Sequence, residues 1–214
     1  MLRNVIVITY LLLCGVNNAQ DKIKKHVLIP NSLGILYNFT TEDNFLFNDP
    51  DYRYQAHILK IQGFYSLQKW NNSEVELIVQ PQIHKIQHQL INEQFVLPSE
   101  SNYLQKRLEF TTPKSIALVG LEFAISFRQQ LSTKLNAVFT AGVGIAHIDR
   151  RTERLAKGFT FIENISLGFD YQLFKKIIIS SSMQFGHVSN FDIQQPNSGY
   201  STMGFELGIR SFLD

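Results

Sequence analysis

The sequence predicts an all-β protein, an eight-stranded antiparallel transmembrane β-barrel with short periplasmic turns and longer outer loops. Three observations carry that prediction. Apolar residues recur with a period of two over unusually long stretches. Short and long connections alternate strictly along the chain. The strand count is even, which leaves both ends of the barrel on the side of the short turns.

The alternation is clearest from Leu135 to Asp149. Leu135, Ala137, Phe139, Ala141, Val143 and Ile145 share one face, while Asn136, Thr140, Gly142 and Gly144 share the other. In Lys157–Leu173, Phe159, Phe161, Ile165, Leu167, Phe169 and Tyr171 oppose Thr160, Asn164, Ser166, Gly168 and Asp170. Met203, Phe205, Leu207 and Ile209 oppose Thr202, Gly204, Glu206, Gly208 and Arg210. Read in this way, the chain contains strands at Leu33–Thr40, Gln55–Gln68, Ser73–Leu90, Ser115–Arg128, Thr133–Ile148, Lys157–Gln172, Lys175–Ser189 and Tyr200–Leu213. Most reach the roughly 9–11 residues that cross a bilayer at a tilt.

Tight connections fall at Asn71-Asn72, Leu131-Ser132 and Phe174, and long ones at Thr41–Tyr54, Ile91–Lys114, Asp149–Ala156 and Asn190–Gly199. A soluble secreted β-sandwich also alternates, but its strands are shorter and its outer face is polar. Here the polar face is rich in Gly, Ser, Thr and Asn, which suits a narrow lumen. Closing the sheet removes its edges, as lipid requires.

The first 20 of the 214 residues read as a signal peptide, and residues 21–214 as the barrel. Met1-Leu2-Arg3-Asn4 precedes an apolar run from Val5 to Val16, and Ala19 lies near the exit. The run is shorter than the roughly 20 apolar residues of a membrane-spanning helix. Cleavage after Ala19 or Gln20 removes Cys14, the only cysteine. Lipidation at Cys14 is the alternative, disfavoured by the bulk of Leu13. A net charge of +2 gives no sign of nucleic-acid binding. The expected location is the bacterial outer membrane.

His187 and Ser189 are two apart on a strand, so both project from the face that carries Ile177, Ile179, Met183 and Phe185. That face meets lipid, where unpaired polar groups are expensive. Imidazole and hydroxyl are the parts of a nucleophilic hydrolase: His takes the hydroxyl proton as Ser attacks an ester. Asn190 and Asn197 offer amide donors to the resulting oxyanion. The bland reading is that His187 and Ser189 are polar strand-tip residues at the headgroup level.

His187-x-Ser189-Asn190, then Pro196-Asn197-x-Gly199, then a C-terminal strand resembles the lipid A 3-O-deacylase family of eight-stranded outer-membrane barrels. The resemblance implies His187 as general base, Ser189 as nucleophile, and support from Asn190, Asn197 and Gly199 for the loop and oxyanion hole. It implies cleavage of the 3-O-acyl ester of lipid A in lipopolysaccharide, without metal or cofactor. The family's catalytic acid falls two residues after the Gly, where this sequence has Ser201. Phe191 and Asp192 also replace small residues of the family pattern.

A substitute acid is therefore expected elsewhere. Glu163 shares the parity of Phe161 and Ile165, and folding about Phe174 sets it opposite either Phe185 or His187. A bulge turning Glu163 inward is the alternative, and Asp192 is a second candidate. A barrel without such an acid reads instead as a non-catalytic structural or adhesion protein. Whether the barrel forms a homodimer is left open.

Other features point less far. His84 and His88 lie too far apart on a strand for one ion, roughly 13 Å over four residues. Glu122, Glu206 and Arg210 have inward parity and form a solvated charge network. Asp149, Arg150, Arg151, Glu153, Arg154 and Lys157 make a charged outer loop suited to phosphates. Tyr52, Tyr54, Tyr103 and Tyr200 sit where an interfacial aromatic girdle belongs.

Overall fold

A computed structural model of the chain describes residues 29–44 and 49–213; residues 1–20, expected to be a signal peptide, lie with Cys14 outside the described residues. Eight antiparallel strands close into a barrel in chain order. They are β1 (Ser32–Thr41), β2 (Tyr52–Lys69), β3 (Ser73–Leu90), β4 (Lys114–Gln130), β5 (Leu135–Ile148), β6 (Gly158–Phe174), β7 (Ile177–Ser189) and β8 (Tyr200–Phe212). β8 pairs with β1, with Ile35 opposite Ile209, so no edge is left open. Each expected strand is present, shifted by no more than a few residues at its ends. Among the described residues no helix is long and apolar enough to cross a membrane.

Period-two burial runs through β1: Ser32, Gly34, Leu36, Asn38 and Thr40 face the lumen, while Leu33, Ile35, Tyr37 and Phe39 are exposed outside. The lumen changes character along its axis. Near the short turns, Arg210 Nη1 donates to Glu76 Oε2 at 2.9 Å, and Arg128 bridges Glu76 (3.1 Å) and Asp170 (2.7 Å). At mid-height Lys60 Nζ lies 3.2 Å from Glu206 and 3.6 Å from Glu122. The expected charge network exists, but Glu122, Glu206 and Arg210 are buried rather than solvated. Paired carboxylates and cations fill the space that water was expected to fill, leaving a cavity of about 60 Å³.

Toward the long loops the lumen turns apolar. Tyr52, Tyr54, Ile58, Ile86, Leu90, Ile116, Leu118, Ile148, Leu155, Ile162, Val188 and Tyr200 form one cluster. Tyr52, Tyr54 and Tyr200 thus face inward, not into an interfacial girdle, because lumen packing takes up their rings. Tyr54 stacks on Tyr200 with ring centroids 4.1 Å apart. Outside this cluster the outward positions of β2 and β3 are polar: Arg53, Gln55, His57, Lys85, Gln87 and Gln89. Here the barrel has the inside-out polarity of a soluble protein.

The connection from Ile91 to Pro113 is not structureless. A 3₁₀ turn (Glu93–Phe95) and helix α1 (Tyr103–Thr111) cap the barrel mouth, and Phe110 of α1 joins the apolar cluster. The loop after β5 is equally ordered. Arg151 pairs with Glu109 of α1. Glu153 turns down into the lumen, where its carboxylate lies 2.7 Å from His88 Nε2. His84, also in the lumen, lies 2.9 Å from Gln82 Oε1.

Candidate active site

The site grows from the long-loop ends of β6, β7 and β8. On β7, Gly186 and Val188 are buried in the wall, and His187 points outward, half-buried. Strand register sets Glu163 of β6 directly opposite His187 on one side and Ser201 of β8 directly opposite on the other. Directly opposed side chains on neighbouring strands have Cβ atoms roughly 4.5–5.5 Å apart. The ring hydrogen bond goes to Ser201, with Nδ1 2.9 Å from Oγ. Glu163 stands on the opposite flank of His187, across the β6–β7 pair.

Of the two positions the sequence left open for Glu163, the pairing selects His187 over Phe185. No bulge turns it inward, since β6 and β7 stay in register from Phe161 to Gln172. Asp192 is held elsewhere: its carboxylate accepts from the side chains of Asn197 (3.2 Å) and Gln195 (3.3 Å). These bonds hold it in the loop.

Ser189, two residues beyond His187, has outward parity but is only 8% exposed. Phe161 is its partner on β6, and Phe191 packs edge-on against Phe161 with centroids 4.6 Å apart. Phe191 and Asp192 both adopt left-handed backbone, at φ 50° and 62°. Residues with a Cβ are uncommon there. The turn is closed by the Ile193 amide donating to Asn190 O at 3.1 Å. The Asn190 amide N–H donates to Asn197 Oδ1 (2.7 Å), and Asn190 Nδ2 to Gln194 O (2.7 Å). Both asparagines therefore brace this loop.

Gly199 explains its own residue type. At φ +64° it is left-handed, and an added Cβ would stand 2.7 Å from Val188 O and 3.0 Å from both Cε1 and Nε2 of His187. The backbone lies against the ring edge that would exchange a proton.

An apolar groove of about 500 Å³ leads away from these residues across the outer wall. Leu77, Ile125, Ala141, Ile165 and Phe185 stand in one cross-strand row that lines it, while Phe123, Val143, Glu163 and His187 form the next row. Ala141, the small member of its row, opens the floor. The sequence displays this alanine but does not mark it, because only the register shows what stands beside it.

Among the described residues no group of three or more His, Cys, Asp and Glu side chains gathers as a metal site.

With that geometry in place, the comparisons are decisive. Residues 31–210 match the family described as lipid A 3-O-deacylase (PagL). The chain belongs to the PagL family. Its members are ester hydrolases of the outer membrane, so this protein is an outer-membrane barrel of a lipid A deacylase family. The crystal structure of the outer membrane enzyme PagL superposes with a TM-score of 0.53 at 11% identity, covering 85% of this chain and 99% of that one. Neisserial surface protein A gives 0.51 at 10% identity, covering 85% and 96%. At such identities these two likenesses speak for the fold alone. No curated protein matches the sequence.

Proposed function

We propose that the protein removes the 3-O-acyl chain of lipid A, with Ser189 as nucleophile, His187 as general base and Glu163 as the relocated acid. The observation that carries this reading is the placement of His187 between Glu163 and Ser201 on neighbouring strands. This chain has Ser201 where the resemblance places the family's acid, and its imidazole has a carboxylate on the other flank.

The two partners divide a task that one carboxylate usually performs. Ser201 Oγ, 2.9 Å from Nδ1, accepts a hydrogen bond from the tautomer that leaves Nε2 free to take a proton. A hydroxyl fixes orientation but cannot balance the imidazolium that forms when Ser189 attacks. Glu163, directly opposite His187 across the β6–β7 pair, supplies that balancing charge. As the Ser189 oxygen bonds to the ester carbonyl carbon, its proton passes to His187. Collapse of the tetrahedral adduct expels the sugar alkoxide, which receives the proton from His187. Water then repeats the sequence and releases a free fatty acid.

Asn190, buried next to Ser189, supports the oxyanion. Gln194 O holds one of its amide N–H groups and fixes the amide plane, leaving the second N–H as a donor. Asn197 and Gly199 shape the loop around it. The groove over Ala141 receives the acyl chain, since its lining is apolar and it opens at Glu163 and His187. The long-loop end faces outward, so the site meets lipopolysaccharide in the outer leaflet.

The test is mass spectrometry of lipid A from cells expressing the wild type or Ser189→Ala. Loss of one hydroxyacyl chain with the wild type alone is expected. Equal deacylation by a folded Ser189→Ala protein would remove Ser189 from the mechanism.

A further inference from the structure

We propose that Arg154, on the loop between β5 and β6, is a positioning residue for this ester hydrolysis, acting through Gly199 on the ring of His187. The inference rests on His187 being the base.

Arg154 grips the segment before β8 at three points. Its Nε donates to Gly199 O at 2.6 Å. Its own carbonyl accepts from the amides of Ser198 (2.8 Å) and Gly199 (3.1 Å). The neighbouring pairs extend the grip: Leu155 bridges to Asn197, and the Ala156 amide donates to Pro196 O at 2.9 Å. The guanidinium lies over the rings of Tyr52 (4.5 Å) and Phe95 (5.5 Å), which hold it flat against the barrel mouth.

The loop that carries Arg154 is itself anchored. Thr152 Oγ1 accepts from the amides of Arg154 (3.2 Å) and Leu155 (2.9 Å). Glu153 is tied to His88 inside the apolar cluster, and Leu155 is fully buried there. Adjacent residues thus point to opposite tasks, Glu153 into the core and Arg154 toward the site.

Gly199 passes the restraint on. Its backbone runs beside the imidazole, close enough that an added Cβ would stand 3.0 Å from Cε1 and Nε2, while Ser201 holds Nδ1. The ring is set between a hydrogen bond and a backbone wall. If Gly199 retreats, the imidazole can turn about its χ2 bond and is no longer held for the proton transfer proposed above. Misplacement of a catalytic group by about 1 Å can lower a rate by roughly a hundredfold.

Arg154→Met and Arg154→Gln separate the possibilities. Methionine and glutamine both match the arginine stem as far as Nε and both give up the guanidinium over Tyr52 and Phe95, but methionine donates nothing. Glutamine places an amide nitrogen as many bonds from the backbone as the arginine Nε. Each purified, refolded protein is assayed on lipid A for kcat and KM, with heat-modifiable migration as the check of barrel folding and Ser189→Ala as the control.

The expected result is a kcat lowered about tenfold or more in Arg154→Met with KM within about twofold, and recovery of most of that loss in Arg154→Gln. Gly199→Ala should lower kcat in the same way, and combining it with Arg154→Met should add little. A folded Arg154→Met enzyme with wild-type kcat overturns the proposal. So does a rise in KM at constant kcat, or an equal defect in the glutamine variant. Should Arg154→Met fail to fold, unchanged kcat in Gly199→Ala overturns it instead. Activity retained by Ser189→Ala would instead defeat the underlying site assignment, whatever Arg154 does.

Discussion

Ser201 Oγ lies 2.9 Å from Nδ1 of His187, directly across the β7–β8 pair. In the proposed site this hydroxyl takes the orienting bond and leaves the charge to Glu163 on the opposite neighbour.

Restoring the carboxylate should therefore make Glu163 dispensable. Glu163→Gln is expected to lower kcat about a hundredfold, the scale of a lost general acid–base contribution. The same change made together with Ser201→Glu should recover most of it. Lipid A turnover by the three variants checks this, and a Glu163→Gln enzyme as active as wild type would remove Glu163 from the site.

Filling the groove should alter chain-length preference. Ala141→Phe places a ring on the groove floor, among Ile125, Ile165 and Phe185. The competing environment for the acyl chain is lipid, so the loss is of packing contacts and not of hydrophobic transfer. A roughly three- to tenfold fall in kcat/KM for long acyl esters is expected, with short esters little affected. Equal effects on both would place the acyl chain elsewhere.

Glu76→Ala strips the shared carboxylate from Arg210 and Arg128, all three buried in the lumen. Removing one partner of a buried ion pair typically destabilises by about 3–5 kcal/mol. Urea unfolding of the barrel in liposomes should register that loss. The folded fraction should retain wild-type kcat, because Glu76 sits near the short turns, remote from His187.

Acid should loosen the cap before the barrel. Hydrogen bonding to Arg151 holds the Glu109 carboxyl below the usual carboxylate range. A depressed folded pKa means the pair stabilises fully above the ordinary value near 4 and fades as pH falls through the folded one. Protection of the α1 amides, measured against their intrinsic exchange rates at each pH, should therefore stay constant down to about pH 4 and fall below it. Arg151→Gln should lower that protection already at pH 7 and flatten its pH profile.

The strands were legible because lipid outside and a narrow lumen inside impose a period of two that no loop imitates. The same parity, with one turn position, brought Glu163 within one pairing of its observed partner. Inward and outward could not be told apart near the long loops, since there the lumen is apolar and the outer positions of β2 and β3 are polar. Tyr52 and Tyr54 share the parity of Lys60 and Gln62, a signal that outweighs their place near a strand tip. Arg154 had no signal at all: a charged residue in an outer loop looks alike whether it meets solvent or a glycine 45 positions further along the chain. Helix α1 was missed for a related reason, because Leu104 and Leu108 stay exposed and only Phe110 is buried, leaving no apolar stripe to read.

The filled lumen has a bearing on traffic. Ion pairs at one end and packed aromatic and aliphatic side chains at the other occupy the lumen. In the proposed reaction at the outer wall, substrate and both products therefore arrive and depart sideways, within the plane of the leaflet.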